Sequence, residues 1–185
     1  MRLFVGLDLP ESVQLNLEKL VAALRPAAKL RWSPVGNLHI TTKFIGEWPE
    51  ERLEEMKTAL GSVRGIAPFS IAIRGLGWFP NPHRPRVFWA AVRAGEQLAQ
   101  LASATEEAAF SLGVAKETRA FAPHLTLARI PDPAVDLAAL RRRVASLPTD
   151  DFGSFDTTAF HLYLSKMGPG GSVYTKLATF PLETT

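Results

Sequence analysis

Asn37-Leu38-His39-Ile40-Thr41-Thr42-Lys43-Phe44-Ile45-Gly46 is the stretch from which the rest of the chain is read, because its middle returns 85 residues later as His124-Leu125-Thr126-Leu127. Both copies have the alternation of a β-strand. His and Thr stand two apart and share one face, and Ile40 or Leu125 between them turns to the other. The fifth position after each histidine holds Phe44 in one copy and Arg129 in the other. Two such strands facing each other across a cleft would surround one small anion with two imidazoles and two hydroxyls.

The flanking sequence supplies a sheet and helices for each copy. Leu3, Val5, Leu7 and Leu9 alternate along a first strand, Arg2 to Leu9. Pro10 suits a first helical position, and Val13, Leu17, Leu20, Val21 and Leu24 then form an apolar stripe that ends at Pro26. The periodicity predicts a strand over Leu38–Gly46, a helix over Pro49–Val63, strands over Phe69–Trp78 and Val87–Arg93, and a helix over Gly95–Leu112. A strand over Leu125–Ile130 follows, then a helix carrying Leu137, Leu140, Val144 and Leu147, and closing strands over Phe152–Ser165 and Val173–Leu182 joined by a turn at Lys166–Gly171. Helices and hairpins are mixed, and no glycine-rich phosphate loop follows a strand. The expectation is therefore an α+β fold and not a doubly wound one. It would have two pseudo-symmetric lobes of antiparallel sheet with outer helices, an active-site cleft between them, and residues 1–185 in a single two-lobed domain.

Composition narrows the chemistry. With 46% hydrophobic and 21% charged residues, the 185-residue chain reads as a folded globular protein. It has no cysteine, which excludes disulfides, thiolate metal sites and a cysteine nucleophile. A net charge of +3 suits an anionic substrate but is weaker than that of a nucleic-acid coat protein. The apolar run after Met1 is broken by Asp8, too early for a secretory signal or a membrane span. A soluble, cytoplasmic protein is expected.

The paired motif is a complete acid/base set. An imidazole gives or takes a proton near neutral pH. Two of them flanking a phosphorus can activate an attacking hydroxyl and protonate a leaving oxygen, while threonine hydroxyls donate to the non-bridging oxygens. Threonine is a poor zinc ligand and two histidines fall short of a zinc set, so neither metal nor cofactor is expected. A lone His-x-Thr strand is ordinarily a packed or hydrogen-bonded pair, but packing alone needs histidine in neither copy.

These residues, with their neighbours, resemble the two-histidine phosphoesterase superfamily and, within it, the RNA 2′,3′-cyclic phosphodiesterases, also called the 2′-5′ RNA ligase family. The resemblance is carried by Arg2–Pro10, Arg31-Trp32, Asn37–Gly46, Pro85-Arg86-Val87-Phe88-Trp89, Phe121–Arg129 and the segment from Leu164-Ser165 through Tyr174 to Leu182. Thr42 departs from it, standing where an apolar residue is usual. The resemblance implies opening of a terminal 2′,3′-cyclic phosphate by water to leave a 2′-phosphate, with His39 as proton donor to the 3′ oxygen and His124 as proton acceptor. It also implies ATP-independent 2′-5′ ligation in reverse. Thr41 and Thr126 would hold the phosphate, and RNA with a cyclic phosphate end would be the partner of a monomeric hydrolase. Two other readings are a phosphodiesterase for a small cyclic nucleotide and a non-catalytic RNA-end binding protein.

Around the site, Phe4 breaks the aliphatic pattern of its strand and is expected either to cover a lobe interface or to stack on a base. Phe44 has the parity of a core residue, and Lys43 the parity of the cleft. Arg129 needs a strand end or bulge to turn it inward, and the resemblance points to substrate contact. His161 reads as structural. Arg141-Arg142-Arg143 reads as a solvated helix face, and His83, Arg84 and Arg86 as charges on a proline-rich loop. Trp32 and Trp78 could build cleft walls, with burial the default for such rings.

Overall fold

The computed structural model of the protein describes residues 1–184. In chain order the elements are β1 (Arg2–Leu7), α1 (Glu11–Leu24), β2 (Arg31–Trp32), β3 (Ile40–Glu47), α2 (Leu53–Gly61), β4 (Phe69–Phe79), β5 (Val87–Ala94), α3 (Glu96–Phe110), β6 (His124–Arg129), α4 (Ala138–Ala145), β7 (Asp151–Thr157), β8 (Ala159–Gly168) and β9 (Gly171–Pro181). They form two antiparallel sheets, one ordered β3-β1-β8-β9 and the other β2-β6-β5-β4-β7. The α+β class and the two-lobed arrangement agree with the pattern of the sequence.

Local sequence explains most elements. Leu3, Val5 and Leu7 put the aliphatic face of β1 into the core. Pro10, with φ of −69°, starts α1 without losing a needed N–H, and the helix buries the stripe Val13, Leu17, Leu20, Val21 and Leu24. This helix reaches across to the second sheet, where Asn16 Nδ2 donates to the carbonyl of Phe152 at 2.9 Å. Helix α3 lies against β3, and α2 against α3. One apolar cluster runs through both sheets, from Leu3 to Phe88 and Leu125.

The two halves exchange strands. β1 is flanked by β3 and β8, and β5 by β6 and β4. Thus β4, which follows the first half's helices, joins the second sheet, and β8, from the second half, completes the first. This corrects the expectation of one strand over Phe152–Ser165. The chain breaks at Thr158, with β7 on β4 in one sheet and β8 on β1 in the other. No glycine or proline marks the break, because the turn is made by ordinary backbone: the Leu182 N–H donates to the Thr158 carbonyl at 2.8 Å. The edge pair Arg31-Trp32 on β6 is too short to give a periodic signal. Among the described residues, no helix is long and apolar enough to cross a membrane.

Candidate active site

Two β-bulges, at the same place in each motif, shape the cleft. On β3, Gly6 pairs with Thr41, Val5 with Lys43 and Phe4 with Phe44, so Thr42 is an extra residue opposite β1. On β6, Trp89 pairs with Thr126, Phe88 with Ala128 and Val87 with Arg129, so Leu127 is the extra residue. Each bulge falls on the fourth residue of its motif and shifts the parity of everything after it. The fifth residue after each histidine is thereby turned to the same face as His and Thr.

Two expectations change as a result, those for Phe44 and Lys43, while Arg129 is turned inward by a bulge of the kind its position required. Phe44 does not pack in the core: it is 55% exposed and lines the cleft. Arg129 joins the face of His124 and Thr126, opposite Val87 and Arg31. Lys43 turns from the face of His39 and Thr41, and the residue is 2% exposed. Its Nζ donates to the carbonyl of Ala115 at 2.8 Å and stands 4.0 Å from Glu106 and 3.9 Å from Glu117. Lysine here ties down the segment that carries the cleft wall from Arg119 to Pro123, and its amine is spent on that contact. The departure at Thr42 is also explained. Its hydroxyl is buried, donating to the carbonyl of Val5 at 3.3 Å and accepting from Thr105 at 3.2 Å, which satisfies a polar group at the bulge.

Main-chain carbonyls hold both histidines in the same way. His39 Nδ1 lies 2.9 Å from the carbonyl of Asn37, and His124 Nδ1 lies 2.8 Å from that of Ala122, each two residues upstream. A carbonyl only accepts, so Nδ1 carries the proton and Nε2 is the nitrogen left for a ligand. His39, Thr41, His124, Thr126, Phe44 and Arg129 line one cleft of about 860 Å³. Among the described residues, no group of three or more His, Cys, Asp or Glu is placed to hold a metal ion.

The two rings differ in their surroundings. His39 stacks on Phe4 with centroids 4.4 Å apart and meets Tyr174 edge-on at 5.2 Å, whereas His124 is exposed. Burial lowers the pKa of His39 below the ordinary imidazole value, and the Asn37 carbonyl and the charge of Asp8 recover part of that shift. Gly6 lets β1 approach the backbone beside His39, since a Cβ there would come within 2.6 Å of the Ile40 carbonyl oxygen. Phe4 is 3% exposed, with His39 on one face and Tyr163 stacked on the other at 4.9 Å. Both ring faces are occupied, so Phe4 is the floor beneath His39 and no base can stack on it. This corrects its reading as a substrate contact.

The other candidates settle outside the cleft. His161 is buried, with Nδ1 3.0 Å from the Thr179 hydroxyl and Nε2 3.4 Å from Asp8. Arg141 covers Trp78 at 4.8 Å and donates to the Pro82 carbonyl, and Arg143 donates to the Ala23 carbonyl at 2.8 Å. Two of the three arginines of that run therefore pin the helix to its neighbours. Pattern reading passed over Arg119 as a cleft residue. It lies on an irregular segment with no periodicity, and nothing local marks it.

The architecture and the sequence both have counterparts among known proteins. The family model described as LigT like Phosphoesterase matches twice, over residues 7–89 and 91–174, one match for each half. A protein of Archaeoglobus fulgidus named RNA 2′,3′-cyclic phosphodiesterase is 33% identical over 180 residues, 97% of this chain and 99% of that one. One of the same name from Thermus thermophilus is 36% identical, covering 99% of this chain and 91% of that one. The crystal structure of TT0787 of Thermus thermophilus superposes with a TM-score of 0.80 at 34% identity, covering 98% of each chain. That of E. coli LigT complexed with 3′-AMP gives a TM-score of 0.80 at 28% identity, covering 98% of this chain and 97% of that one. With both halves matched and relatives aligned end to end, the chain belongs to the LigT-like phosphoesterase family.

Proposed function

We propose that the protein hydrolyses 2′,3′-cyclic phosphate ends of RNA to 2′-phosphates, without a metal, and acts as a monomer, a reading compatible with a cleft that one chain completes by itself. The observation that carries this reading is the pair of matched, bulged motifs. Alternation brings His39, Thr41, His124 and Thr126 to one cleft and the bulges add Phe44 and Arg129 to it, in a chain similar along its length to proteins named RNA 2′,3′-cyclic phosphodiesterase.

In the proposed reaction His124 takes a proton from water as the water oxygen attacks phosphorus. The bond from phosphorus to the 3′ oxygen breaks, His39 gives that oxygen a proton, and the phosphate remains on the 2′ oxygen. Thr41 and Thr126 donate to the non-bridging oxygens, whose charge grows in the transition state, and Arg129 offsets the phosphate charge. The depressed pKa of His39 favours neutral imidazole in the free protein. A bound phosphate anion favours imidazolium, so substrate itself charges the acid. With a 5′ hydroxyl attacking in place of water, the same ring opening breaks the bond to the 3′ oxygen and joins two RNAs by a 2′-5′ bond without ATP.

The test is RNA with a cyclic phosphate end, incubated with the protein in excess chelator. A 2′-phosphate product is expected, and replacing either His39 or His124 by alanine should slow turnover by about 10²–10⁴-fold with the far-UV circular dichroism unchanged. Turnover that needs added metal, or that survives both substitutions, contradicts the proposal. Turnover of cyclic mononucleotides with none of RNA ends would instead assign a small-nucleotide substrate.

A further inference from the structure

The face of the second sheet that carries His124 and Thr126 continues well beyond them. Cross-strand partners in an antiparallel sheet point to one side. One row there runs Arg31, Arg129, Val87, Phe79, and the next runs Thr126, Trp89, Gly77. The alternate residues Phe88, Ala128, Ala90 and Leu125 are buried on the other side, so the core lies there and this face is open. Phe79 is 55% exposed, Arg31 and Arg129 are exposed, and Trp89 is partly so. No carboxylate occupies either row.

Trp89 has a seat built for it. A Cβ at Gly77 would come within 2.1 Å of the indole Cζ2 and 2.3 Å of Cη2, so the six-membered ring lies over the β4 backbone where only glycine leaves room. A large ring is thus laid on the open side of a sheet, in the row of Thr126 and next to the row that holds Arg31 and Arg129. Burial does not account for Phe79, Arg31 and Arg129, which stay exposed in the adjoining row. Single-stranded nucleic acid binds to surfaces of this composition, where aromatic rings take bases and arginines follow the phosphates.

We propose that the Trp89–Phe79 face, flanked by Arg31 and Arg129, is a platform for the nucleotides that precede the cyclic phosphate end of the RNA. This rests on RNA being the substrate, as set out above. Charge complementarity and continuity with His124 and Thr126 on the same strands select this occupant. The platform makes the enzyme favour RNA ends over cyclic mononucleotides, although the chemistry at phosphorus is the same for both.

The experiment compares KM for a 2′,3′-cyclic mononucleotide with that for a hexanucleotide ending in the same group. The wild-type protein should prefer the hexamer by tenfold or more, and Trp89→Ala should reduce that preference by about tenfold. Phe79→Ala and Arg31→Ala, at exposed positions where folding is retained, should also reduce it. A wild-type preference near one, or a preference that survives all three substitutions, overturns the platform while leaving the hydrolase reading intact. If neither substrate is turned over, the hydrolase reading fails by itself. Anisotropy with a labelled hexamer ending in 2′-phosphate then decides the platform separately. Weaker binding by Phe79→Ala than by wild type supports it, and equal binding overturns it.

Discussion

At His39 the environment and the proposed role pull in opposite directions, and the pH profile separates them. Burial against Phe4 lowers its pKa, yet a proton donor must be charged when substrate arrives. The profile of kcat/KM reports the free enzyme. With His39 as donor, it should fall as pH rises through a value below the usual ~6.5 of histidine. The profile of kcat, which reports the complex, should fall at higher pH because the bound phosphate favours imidazolium. An alkaline limb of kcat/KM at or above the usual value would contradict the donor role of His39. The sequence made the two histidines and two threonines legible at this scale because residue type and spacing of two are local properties. It misplaced Phe4, because strand parity tells which side a ring takes but not what already lies on it. Here His39 and Tyr163 fill both faces.

The bulges show where element-level reading stops. Thr42 and Leu127 each look like ordinary strand residues, and nothing in composition says that the partner strand skips them. The strands were therefore legible and the faces beyond the fourth motif position were not, which is why Phe44, Lys43 and Arg129 all lie opposite to simple alternation. Their consequences can be measured at Lys43. Its buried amine is held by the Ala115 carbonyl and by Glu106 and Glu117, so Lys43→Met should cost about 2 kcal/mol, the scale of a charged hydrogen bond. The substitution should also speed proteolysis within 114–123 in the folded protein. Unchanged stability and cleavage would mean that the lysine is not what holds the cleft wall.

For the whole molecule, the order of strands and helices could be read from periodicity, but which sheet each strand joins could not, since pairing partners are chosen by tertiary packing. The exchange of β4 and β8 leaves neither half with a finished sheet. Fragments 1–82 and 83–185, produced separately, should therefore each lack cooperative unfolding by circular dichroism, and should regain it when mixed. A cooperative transition in either fragment alone would show independent halves. The same register gives the two halves equivalent positions: Gly6 stands to Thr41 as Trp89 stands to Thr126, and Phe4 to Phe44 as Val87 to Arg129. A perfectly symmetric version of this fold would present two indistinguishable imidazoles and no preferred direction for a proton to travel. On one side His39 lies on the aromatic floor of Phe4, and on the other His124 is in the open. The internal duplication thus keeps its register while its two histidines sit in different surroundings, and under the proposed reaction that difference is what gives the proton a direction.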